Sequence, residues 1–282
     1  MTNSNKIIRN VIIVALFAIG GGWLGIWLNN ITGNTQPPME SLGVLIWLTS
    51  PALIGLSLRA IGRDGWKDSG FGLNLISGWK WYLVAILIYP LAGLLTFGVA
   101  LALKALSIEG FAAQGFGAYL SAAGMMFAGS LMKNIFEEFA WRGYLTPRLD
   151  AAKIHPMLNH FIVSVLWMSW HLPYYYYYLD RNILNSAITT SLPVFILTGY
   201  LVMFPTAILF GELRLLSKSV WTAFLLHCVI NALSMPLLIN DFIKLNGTAG
   251  VILTPTNEGI FTSLLFGAAG WMLYQYRMKN QK

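Results

Sequence analysis

The sequence predicts an all-α fold, a single integral membrane domain over residues 1–282 that crosses the bilayer with about eight transmembrane helices. Composition is the first reason. Hydrophobic residues make up 56% of the 282 residues and charged residues 10%, where ordinary globular domains carry roughly 25% charged residues. Mean hydropathy is +0.63, and no soluble core hides that much apolar surface. The second reason is distribution, because the apolar residues fall into runs of about 20, the length that spans a bilayer. The single cysteine, Cys228, rules out an intrachain disulfide framework.

The first segment, Ile7–Leu28, follows a basic start as a signal peptide would. Its apolar run is long enough to span and no small-residue cleavage site follows, so it is expected to stay as a helix. Gly21 and Gly25 within it have the GxxxG spacing that permits close helix packing. Further segments follow at Leu42–Ile61, Trp81–Leu103 and Gly117–Tyr144. The fifth, Met157–Leu179, ends in Tyr174–Tyr178, which reads as an aromatic belt at the membrane interface. Ile188–Phe210, Val220–Ile239 and Gly259–Tyr276 complete the set. Polar, Gly- and Pro-bearing loops such as "NNITGNTQPPMES" separate them.

Lys and Arg set the orientation. With both termini cytoplasmic, the inner side holds Lys6, Arg9, Arg59, Arg63, Lys67, Lys80, Arg148, Lys153, Arg214, Lys218, Arg277, Lys279 and Lys282. The outer side receives only Lys104, Arg181 and Lys244. A multi-pass cell-membrane protein with cytoplasmic termini is therefore expected. Anionic headgroups facing the basic side account for the net charge of +7 without a nucleic-acid partner.

Within the spans, the strongly polar residues singled out are Lys133, Glu137, Glu138 and Arg142 on the fourth segment, His171 on the fifth, and His227 and Asn231 on the seventh. Such residues are costly in a membrane and mark function by default, although a Glu–Arg pair and buried histidines also serve simply to pin helices. Depth favours function. At 1.5 Å per residue, Glu137 lies ~12 Å, His227 ~10 Å and His171 ~15 Å from the inner boundary, which points to a shared cavity near the cytoplasmic face. Spacing agrees: Glu138 and Arg142 share a helix face, as do His227 and Asn231. Glu137 is turned ~100° from Glu138, so Arg142 can neutralise Glu138 and leave Glu137 free to face the cavity. Lys133, four residues before Glu137, either holds it ionised or simply packs and snorkels.

The expectation is a water-activating base at Glu137, helped by His171. His227 and Asn231 would act as oxyanion donors, and Glu138–Arg142 as the supporting pair. "EEFAWR" at Glu137–Arg142, "WMSWH" at Trp167–His171 and "HCVIN" at His227–Asn231 resemble, in order, the EExxxR, aromatic-xxx-His and HxxxN motifs of the CPBP (Abi) intramembrane proteases. That family includes the type II CAAX prenyl endopeptidases. The resemblance covers a catalytic core of about 117–238 and implies catalytic Glu137, His171, His227 and Asn231, with Glu138 and Arg142 in support. Trp167 stands where the family often has Phe, a change expected to leave the chemistry intact. The implied substrate is a membrane-embedded peptide or protein, either anchored or lipidated.

The family is described both as metal-dependent and as glutamate-dependent. No cofactor is expected to be required, and Glu137, His171 and His227 are the ligands if zinc is bound. Neither HExxH, GxGD nor a GxSG-like serine is present. The competing readings are a proton-coupled transporter, against which no inverted repeat is visible, and a non-catalytic binding or immunity protein.

Overall fold

The computed structural model describes residues 3–182, 184 and 190–280. A helix occupies each of the eight segments: α1 (Asn3–Ile31), α2 (Leu42–Ala60), α3 (Leu75–Ala102), α4 (Phe116–Ala140), α5 (Pro156–Pro173), α6 (Leu192–Ser217), α7 (Val220–Ile239) and α8 (Ile260–Lys279). Ile188, the expected start of the sixth segment, and Lys282 lie outside the described residues. Among the described residues, α1, α2, α3, α6 and α7 are long and apolar enough to cross a membrane. The other three fall short for visible reasons. α4 carries Lys133, Glu137 and Glu138, α5 is only 18 residues long and holds Asn159, His160 and His171, and α8 ends in Gln275, Arg277 and Lys279.

Side chains fix where some helices begin. Ser41 caps α2 by accepting from the Val44 amide at 3.3 Å, and Ser219 caps α7 by accepting from the Trp221 amide. Pro51, Pro90, Pro205 and Pro236 sit inside helices, as membrane helices tolerate more readily than soluble ones. The glycine pair of α1 packs closely, as its spacing suggests. A methyl group on Gly25 would lie 2.3 Å from the Gly43 carbonyl oxygen of α2, and one on Gly21 would lie 2.3 Å from Ser50 Oγ.

Two π-helical turns extend the site-bearing helices. One, Trp141–Leu145, continues α4 into a short helix at Thr146–Ala151, and the other is Tyr174–Tyr178 at the end of α5. The second corrects the belt reading of the five tyrosines. Only Tyr176 is exposed, while Tyr178 is buried and Tyr175 lines a cavity. Tyr174 and Tyr178 stack on Trp47 of α2, which in turn stacks on Trp170 at 4.3 Å. The two tryptophans also exchange indole-to-carbonyl hydrogen bonds of 2.7 and 2.9 Å. Five consecutive helical residues cover the whole circumference, so most of them must meet protein.

The two ends of the bundle differ. At one end, the loop between α2 and α3 folds under the helices. Asp68 accepts from Arg59 at 2.6 Å and Arg148 at 3.1 Å, Asp64 accepts from Arg148 and Tyr144, and Lys6 stands 3.7 Å from Asp64. Arg214 donates to the Asp68 carbonyl. These are basic residues that the sequence assigns to one membrane face, and the fold gathers them. Glu212 of α6 joins the same side by binding His160 of α5 at 2.8 Å and Arg277 of α8 at 2.6 Å. The polar inventory read from the sequence is therefore too short, since Asn134, Asn159 and His160 also lie buried within the expected spans. At the other end, Leu106–Ser107 after α3 pairs antiparallel with Lys244–Leu245 after α7.

Candidate active site

A cavity of about 680 Å³ opens in the bundle. Its walls come from α4, α5, α6 and α7. Lys133, His171, His227 and Asn231 line one end, and Met39, Met125, Met126, Met168, Met203 and Met235 line much of the rest. Over half of the chain's 11 methionines thus face one space, and Met side chains adapt their shape to what they contact.

The residues expected to carry chemistry converge, but Glu137 does not itself line the cavity. Glu137 is 2% exposed and lies behind the cavity wall rather than free within it. Lys133 forms a close ion pair with its Oε1, and the Trp167 indole N–H donates to its Oε2 at 2.6 Å. Of the alternatives left open for Lys133, the geometry favours the first, because its ammonium holds Glu137. It also corrects the reading of Trp167 as a neutral exchange for Phe, because a phenyl ring has no N–H to give. The ring centroid of Trp167 lies 5.7 Å from that of His227 and 6.5 Å from that of His171, and both histidines act electrostatically on Glu137.

Each histidine is oriented through Nδ1. His171 Nδ1 meets the Trp167 carbonyl oxygen at 2.8 Å, one turn back on α5. His227 Nδ1 meets Glu138 Oε1 at 2.8 Å. A carbonyl and a carboxylate only accept, so both rings carry a proton on Nδ1 and turn Nε2 to the cavity. Nε2 of a neutral ring accepts a proton, and Nε2 of an imidazolium donates one. Glu138 Oε1 also accepts from Arg142 at 3.3 Å, so the expected pair is present and reaches across to α7. The Arg142 guanidinium lies between aromatic rings, 4.1 Å from the Trp167 centroid and 4.6 Å from that of Phe210. These cation–π contacts serve the two nitrogens, Nε and Nη2, that lack hydrogen-bond partners among the described residues. The π-helical turn at Trp141–Leu145 places Arg142 there, and such turns recur at functional sites.

Asn231 Nδ2 donates to Asn134 Oδ1 at 3.1 Å, and Asn134 Nδ2 lies 3.4 Å from Cys228 Sγ. Asn134 therefore fixes the amide of Asn231 and leaves its second N–H for a ligand. Sequence reading passes it over, although its position three residues before Glu137 on one helix face is a usable signal. No group of three or more His, Cys, Asp or Glu among the described residues is arranged to hold a metal ion. Of the expected ligand set, Glu137 is engaged by Lys133 and Trp167, while His171 and His227 are each held through Nδ1 and keep Nε2 without a partner among the described residues.

No curated protein and no solved structure matches the chain. Residues 119–233 match the family described as Type II CAAX prenyl endopeptidase Rce1-like. That stretch runs through α4 to α7 and contains all three motifs with their converging side chains. Over that stretch, less than half of the chain, the protein is similar to the Rce1-like family of type II CAAX prenyl endopeptidases.

Proposed function

We propose that the chain is an intramembrane endopeptidase that hydrolyses a peptide bond of a membrane-anchored or lipidated polypeptide, with water activated by Glu137. The observation that carries this is the meeting, at one end of one cavity, of two histidines held through Nδ1 and an amide with a free N–H, with the held Glu137 carboxylate directly behind Lys133 and Trp167 of the wall. Lys133 and Trp167 keep Glu137 ionised and in place, and each carboxylate oxygen retains a second lone pair for a water. Water gives its proton to Glu137, or to Nε2 of His171, as its oxygen attacks the scissile carbonyl carbon. The carbonyl oxygen takes up the negative charge and receives the second N–H of Asn231. It also receives Nε2–H of His227 in its imidazolium form, whose charge Glu138 balances. When the carbon–nitrogen bond breaks, the proton held by Glu137 or His171 passes to the leaving amine. No step runs through a metal. The site lies toward the basic end of the bundle, which this reading takes as cytoplasmic.

Comparison of membrane proteomes from cells carrying the parent chain and Glu137→Gln tests the reading. Defined fragments should disappear with Glu137→Gln, which keeps the shape and removes the base. Once a substrate is in hand, Asn231→Ala should lower kcat by about 10²–10³-fold with little change in KM, the usual effect of losing one oxyanion donor. Activity should survive a tight chelator. One zinc per active chain, lost together with activity on chelation, would defeat the metal-free route. Unchanged fragments with Glu137→Gln would favour a non-catalytic binding protein.

A further inference from the structure

The cavity does not end at the histidines. It continues past Tyr175 to the opposite end of the bundle, where Thr256, Asn257 and Glu258, in the loop before α8, complete its wall. Tyr174 and Tyr175 line the same cavity as Glu258.

The loop is held firmly by its other polar groups. Tyr89 donates to the Pro255 carbonyl oxygen at 2.7 Å, Thr262 to that of Thr254 at 3.0 Å, and the Glu258 amide to Thr256 Oγ1 at 3.3 Å. A methyl group on Gly259 would strike the Thr254 oxygen at 2.0 Å. The Glu258 carboxylate takes no part in this. It has no hydrogen bond or ion pair among the described residues. It is half-buried and lines the cavity. Asn257 Oδ1 beside it is also buried without a partner among the described residues. The carboxylate thus takes no part in holding the loop and is left facing the cavity beside the buried Asn257 Oδ1.

We infer that Glu258, with Asn257 beside it, is a recognition site for a cationic group, an ammonium or guanidinium, on the polypeptide whose backbone reaches Glu137. This rests on the protease reading and adds a specificity element to it. The charges are complementary along the cavity: Lys133 and the histidines occupy the end where an oxyanion forms, and a carboxylate occupies the far end. Between them, Met and aromatic side chains suit an apolar stretch of substrate. Burial raises the Glu258 carboxyl to about 7, a level at which an arriving cation readily draws it into the ionised form. The titratable groups facing it, Tyr174 and Tyr175, supply no competing positive charge.

The probes are apolar, N-acetylated peptides carrying one lysine at graded positions, each paired with a norleucine version. Binding is measured on the Glu137→Gln chain in nanodiscs, where nothing is cleaved. At one spacing the lysine peptide should bind roughly 30-fold more tightly than its norleucine twin, the scale of one buried charge pair. Adding Glu258→Gln should erase that preference, Glu258→Asp should keep part of it, and Glu258→Lys should transfer it to a glutamate-bearing peptide. Equal binding of the twins at every spacing overturns the inference, and so does a lysine preference that survives Glu258→Gln undiminished. Lysine preference without cleavage of any probe by the parent chain would sink the protease reading and leave the cation site standing.

Discussion

Trp167 concentrates the chemistry of the site in one side chain. Its indole N–H binds Glu137, its backbone carbonyl orients His171, and its ring face carries Arg142. Trp167→Phe would keep an aromatic ring and remove the N–H. It should lower kcat by about 10–100-fold, the range expected when a hydrogen bond to a charged group is lost, with a smaller change in KM. An unchanged kcat would show that Lys133 alone holds the carboxylate. The motif spells out this residue in the sequence, but its role depends on how α5 crosses α4, and spacing within one helix does not report a crossing. The same holds for His227, whose reach to Glu138 joins two helices across 89 positions.

Apolar run length is enough to locate the eight long helices of the described residues, five of which are also apolar enough to cross a bilayer. The faces of those helices are harder to read. The tyrosine run shows why, since composition alone gives an interfacial belt and only the partner helix α2 turns Tyr174 and Tyr178 inward. Glu258 gives no signal at all in the sequence, being a lone carboxylate before an apolar run. The α1–α2 crossing is legible through Gly25, and it is sharply testable. Gly25→Ala places a methyl group 2.3 Å from a backbone oxygen and should cost about 1–3 kcal/mol, as overpacking does. Gly20→Ala, on the same helix with open space around it, should be neutral. Equal melting temperatures in detergent for the two variants would contradict the crossing.

Across the whole molecule, the gathered charges at one end make a claim about pH and another about orientation. Burial pushes the Asp68 carboxyl up, but Arg59 and Arg148 outweigh it and hold the group below the usual carboxylate range. A depressed folded value means that the stabilisation is complete above the ordinary pKa of about 3.9 and is lost as pH falls through the lower folded value. Asp68→Asn should therefore lower the melting temperature at pH 7, by the equivalent of about 1–3 kcal/mol, and the gap should close in acid. A gap that stays the same size down to the acid limit of folding would remove Asp68 from the account. Orientation is checked by single cysteines placed at Asn34 and Lys67 on a Cys228-free background. The Asn34 position should label from outside intact cells and Lys67 only after permeabilisation, and the reverse pattern would invert the topology.

The small strand pair joining Leu106 to Leu245 has a consequence for the order of events on the ribosome. Its halves are separated by roughly 140 residues, which take about 7 to 30 s to synthesise at 5–20 residues per second. During that interval α1 to α3 are already in the bilayer, while the strand that will tie α3 to α7 has yet to emerge. The wall of the cavity formed by α7 is missing for the same period. The cavity is thus completed only late in synthesis, when α7 packs against α4, and its methionine lining acquires its final shape after most of the chain has been made.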